Sequence, residues 1–126
     1  MLEIKYLPDG GQQKVDTPPL ADGATQSVHF KTPTLKNHGN GGIVQLANDL
    51  NTTGTPNNST IEWAISKTTG DFTGKKTITG PNSGSTGFNS YPLDSGTDYY
   101  VNLKSIGASP NGVRVKVTAG TERTGR

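Results

Sequence analysis

The length of its regular stretches most limits how this chain can fold. Apolar and polar residues alternate strictly, but only for a handful of residues before turn formers intervene. "TIEWAISK" places Ile61, Trp63 and Ile65 on one side and Glu62, Ala64 and Ser66 on the other. "LEIKYL" does the same with Leu2, Ile4 and Tyr6 against Glu3 and Lys5, and "QSVHFK" with Val28 and Phe30 against His29 and Lys31. A period of two is that of a strand with one buried face. "PDGG", "GPNSGSTG" and "SPNG" punctuate these runs with residues suited to turns.

Composition agrees. Only 29% of the 126 residues are hydrophobic, and 17 glycines and 8 prolines leave few good helix formers. One domain is expected over residues 1–120, with the apolar-poor "GTERTGR" ending in a flexible tail at 121–126. Charged residues amount to 17%, below the customary quarter or so, and 12 Lys and Arg against 10 Asp and Glu give a net charge of +2. That balance supplies no electrostatic argument for nucleic acid or an anionic membrane. No apolar run approaches the roughly 20 residues that span a bilayer. The start lacks the basic and apolar regions of a signal peptide, so the chain reads either as one not exported by that route or as a mature or excised domain.

Further strands are expected at "GGIVQLAN", weakly at "DFTGKKTITG", where Gly74 interrupts, and near Phe88. Residues 12–25, with Pro18 and Pro19, read as a loop or edge segment. Residues 48–60 read as a long polar surface loop, and "ASPNG" as the turn of a hairpin joining the last two strands. The sum is an all-β, antiparallel sandwich of about seven to nine strands, immunoglobulin/fibronectin-like or jelly-roll-like.

Chemical motifs are absent. The chain has no cysteine, which removes disulfides, thiolate catalysis and cysteine-held metals. His29 and His38 have no partner at metal-ligand spacing and read as surface residues. "GDFTGKK" lacks the spacing of a phosphate loop, and no G-x-S-x-G elbow exists. Asp49, Asp71, Asp94 and Asp98 fall in or beside expected loops, where turn formation accounts for them better than calcium binding. Asn51, Asn57 and Asn58 each begin an N-x-Ser/Thr triplet, which we read as loop composition. No catalytic residue, metal or cofactor is expected.

Leu93, Thr97, Tyr99, Val101 and Leu103 have the spacing found at the corner between two strands of fibronectin type III-like domains, with Ser95 where that family has proline. The resemblance implies a buried Tyr99 whose hydroxyl bonds to backbone. "SGTDYYVNLKS" with "NGVRVKVTA" is similar to the end of bacterial pre-peptidase C-terminal domains, which are small secreted sandwiches. "GGIVQLANDLNTTGT" looks like a short repeat of phage tail fibres.

The expected function is therefore a non-catalytic binding module for glycan or protein, at an extracellular, cell or virion surface. A structural part of a virion, tail fibre or surface assembly is the alternative, and a hydrolase with an unrecognised site comes third. Tyr99 belongs to the core face of its strand and Tyr100 to the other. The residues expected to be exposed for binding are Phe88, Tyr91, Tyr100, Asn102 and Lys104.

Overall fold

A computed structural model describes residues 2–5, 7, 12–33, 43–54, 60–79, 89–107 and 112–121. These residues form nine strands and no helix. In chain order they are β1 (Leu2–Ile4), β2 (Gln13–Asp16), β3 (Thr25–Lys31), β4 (Ile43–Gly54), β5 (Thr60–Ser66), β6 (Lys76–Thr79), β7 (Asn89–Asp94), β8 (Asp98–Ile106) and β9 (Val113–Thr121). One sheet runs β1-β3-β8-β5-β6 and the other β2-β9-β4-β7.

The pairing is nested. β5 pairs with β6, β4 with β7, β3 with β8 and β2 with β9, all antiparallel, as though one long hairpin had been closed from its tip. Rolling that hairpin adds β4 to β9 and β5 to β8, which makes β8 and β9 interior strands. β1 joins β3 in the one parallel pair among the described strands. The edges are poor templates for further pairing: β1 has three residues, β6 has four, and β7 carries Pro92, whose nitrogen cannot donate.

A single buried cluster draws side chains from both sheets. Val28, Phe30, Ile61, Trp63, Val101 and Leu103 come from the first, and Leu46, Leu50, Val115, Val117 and Ala119 from the second. Tyr99 joins them, 6% exposed, and its hydroxyl accepts a hydrogen bond from the Asp94 N–H at 2.9 Å, five residues upstream. Phe30 stacks on its ring. Lys67 reaches across from the end of β5 to Asp94 on β7 at 2.8 Å, linking the sheets. The same contact holds the Asp94 carboxyl below its ordinary range and the Lys67 ammonium above its own.

Three local expectations need correction. The polar stretch at 48–60 is a strand as far as Gly54, paired to β9 from Leu46 to Gly54; Leu50 is fully buried and Thr52 nearly so. Asp49 thus lies inside a strand, because sheet pairing outweighs the turn preference of isolated Asn, Asp and Thr residues. The expected hairpin between β8 and β9 does not form: they lie in different sheets, each between two other strands. Residues 108–111 of the expected turn lie outside the described residues. Gly112 sits at this link with φ of 77°, and a Cβ there would lie 3.0 Å from the Pro19 side chain and 3.1 Å from the Leu20 backbone. Finally, Thr121 belongs to β9 and is buried, so the sheet extends one residue past the expected domain limit. Residues 122–126 lie outside the described residues.

Candidate functional site

The face of the five-stranded sheet opposite the core carries Ser27 and His29 from β3, Tyr100, Asn102 and Lys104 from β8, and Glu62, Ala64 and Ser66 from β5. Register sets them in rows: Ser27–Asn102–Ala64 and His29–Tyr100–Ser66, with Glu3 of β1 beside His29.

Asn102, expected to be exposed, is completely buried. The segment after β5 folds back over it. Its amide donates to the Thr68 and Asp71 carbonyls at 2.9 and 3.0 Å, and its carbonyl oxygen accepts from the Ser27 hydroxyl at 2.7 Å and the Gly70 N–H at 3.1 Å. Every polar atom of the side chain is satisfied, as burial demands. Asp71 secures the same segment by accepting from the Ser66 hydroxyl and from the hydroxyl and N–H of Thr73. Those donors, that of Thr73 foremost, lower its carboxyl to about 2.

One row further along, exposed carboxylates border the face. Tyr100 is half-buried and its ring centroid lies 5.3 Å from that of His29, tilted by 42°. His29 stands between two carboxylates: Nε2 is 2.8 Å from Asp98 and Nδ1 is 3.5 Å from Glu3, whose side chains are 56% and 46% exposed. An aromatic pair flanked by exposed carboxylates can stack on a flat apolar surface and accept hydrogen bonds from hydroxyl or amide groups at its rim. A serine-type triad needs one imidazole nitrogen for the acid and the other for the nucleophile. Here carboxylates face both nitrogens.

Of the residues read from sequence, the structure keeps Tyr100 on this face and buries Asn102. Lys104 is half-buried on the same strand, between Thr25 and Glu62 in register; Glu62 bonds Lys75 at 2.8 Å. Tyr91 belongs to β7, paired with Leu46 in the other sheet, and its side chain lies outside the description. Phe88 and His38 also lie outside the described residues. Glu3, His29 and Asp98 escaped the sequence reading as a cluster. His29 and Asp98 are 69 residues apart, and nothing local signals the parallel pairing that brings Glu3 alongside.

No group of three or more His, Asp or Glu side chains among the described residues is placed to hold a metal ion. Comparison with protein-family models, curated proteins and solved structures finds no match.

Proposed function

We propose that this chain is a non-catalytic recognition module, a jelly-roll β-sandwich that binds glycan or protein at an extracellular, cell or virion surface. The nested pairing order favours the jelly-roll reading over an immunoglobulin or fibronectin-like one. A rolled hairpin whose halves alternate between two sheets is the connectivity shared by many lectin and capsid domains. The observation that carries the binding reading is the Tyr100–His29 ring pair, set between Glu3 and Asp98 on an otherwise polar sheet face.

Glycan-array and protein-capture screens with the wild type and Tyr100→Ala test it. A ligand found for the wild type should lose at least about tenfold in affinity in the variant, as truncating a central aromatic does. Unchanged affinity would remove this face from the site.

The jelly-roll order also supports the second reading, a structural component of a virion or surface assembly. A solution mass several times the 13.2 kDa of the chain would favour assembly, and a monomer the binding module.

A further inference from the structure

We infer that the five-stranded sheet has a second recognition site, a one-residue gap in its β5–β6 ladder that takes the carboxylate-bearing C-terminal residue of an extended peptide. It lies on the β6 side of β5 rather than on the β8 side where Ser66 meets Tyr100, and its test is independent of the Tyr100 face.

The gap follows from hydrogen-bond parity. Ser105 of β8 exchanges backbone bonds with Gly23 and Ala24 on the β3 side, and the Thr97 carbonyl accepts from Thr32 on that side too. Odd-numbered residues of β8 therefore direct their backbone groups to β3, and even-numbered ones to β5. Asn102 opposes Ala64 and Tyr100 opposes Ser66, so Ala64 and Ser66 are the ones turned towards β8. Ile61, Trp63 and Ile65 then turn their N–H and C=O to the opposite side, where β6 lies. Ile61 meets Ile78 and Trp63 meets Lys76, but the ladder stops there. Ile65 has no strand opposite it, and no bond to its N–H or C=O occurs among the described residues.

Register would set residue 74 at that place, yet Gly74 adopts φ of 70° and is not part of the ladder. What remains is a cleft of about 150 Å³ lined by Trp63, Ala64, Ile65, Thr73, Gly74 and Lys76. The Lys76 ammonium lies 5.6 Å from the Trp63 ring centroid at the same cleft.

Geometry restricts the occupant. A peptide continuing the antiparallel ladder runs in the direction of β6, so the residue opposite Ile65 is followed at once by the place opposite Ala64, which Lys75 takes as the chain enters β6 at Lys76. The guest chain must end there. Its last N–H donates to the Ile65 carbonyl, and its carboxylate accepts from the Ile65 N–H beside the cationic Lys76, a charge-assisted version of ordinary strand addition.

Amide exchange and a peptide titration followed by NMR test this. In the free protein the Ile65 amide should exchange on the order of a hundredfold faster than that of Trp63; equal protection would overturn the proposal. Acetyl-Ala-Ala with a free carboxylate should move the Ile65 amide resonance saturably and quench Trp63, the chain's sole tryptophan. The C-terminal amide of that peptide should bind about tenfold more weakly, and Lys76→Gln should reduce carboxylate binding by a similar factor. Tyr100→Ala should leave the titration unchanged. No movement at Ile65, or equal binding of acid and amide by the wild type, would sink the proposal whatever becomes of the Tyr100 face.

Discussion

Tyr100 and Asn102 point to the same side of β8, two residues apart, and meet opposite surroundings. Around Asn102 the segment from Ser66 to Thr73 covers the sheet and turns an outward amide into a fully bonded interior group. Around Tyr100 nothing described lies over the sheet but neighbouring side chains, and the exposed carboxylates of Glu3 and Asp98 border it. Strand alternation decides which side a residue faces. Whether that side is wet depends on a segment that belongs to another part of the chain.

The sharpest way to break the contrast is to remove the covered anchor. Asn102→Ala strands two backbone carbonyls, an N–H and a hydroxyl, and should cost about 3 kcal/mol in urea unfolding. A loss below about 1 kcal/mol would show that the cover holds without it. Tyr99→Phe, on the core side of the strand, should cost about 1 kcal/mol through the lost bond from Asp94. Ser105→Ala should be neutral or stabilising by up to about 1 kcal/mol, because its buried hydroxyl finds no partner among the described residues. Tyr100→Ala, in the open half, should leave stability within about 0.5 kcal/mol while changing binding.

Acid separates the halves in another way. Asp71 has a lowered pKa, so its contribution is fully present above the ordinary value of 3.8 and is lost as pH falls through about 2. The Gly70 and Thr73 amide resonances should shift over that interval in the wild type. Asp71→Asn should abolish the shift.

Much of this was readable in advance, and the reason is local. Val28, Phe30, Ile61, Trp63, Val101 and Leu103 declare themselves by alternation, and so does the division of labour between Tyr99 and Tyr100. What stayed hidden is non-local. β4 reads as a loop from Asn48 onward because Asn, Asp and Thr make turns unless a partner strand claims them, and the partner, β9, lies far along the chain. The burial of Asn102 depends on Thr68, Gly70 and Asp71, more than 30 residues earlier. The "ASPNG" link looks like a hairpin because turn chemistry reports a change of direction, not which sheet receives the returning strand. Gly74, by contrast, gave a visible break in the weakest strand pattern, and the gap beside Ile65 is its structural outcome.

The position of β8 and β9 at the middle of their sheets also bears on how the protein is made. A ribosome releases β1 to β7 first, and each sheet then lacks the strand on which its neighbours depend. Val28 and Phe30 wait for β8, and Leu46 and Leu50 for β9, so the nascent chain must hold these apolar residues in water or on a chaperone until synthesis has passed Thr121. Long-range closure of this kind places folding in the slow range of roughly milliseconds to seconds. Early strands with few charges then face their greatest risk of pairing with one another between molecules before the native partners emerge.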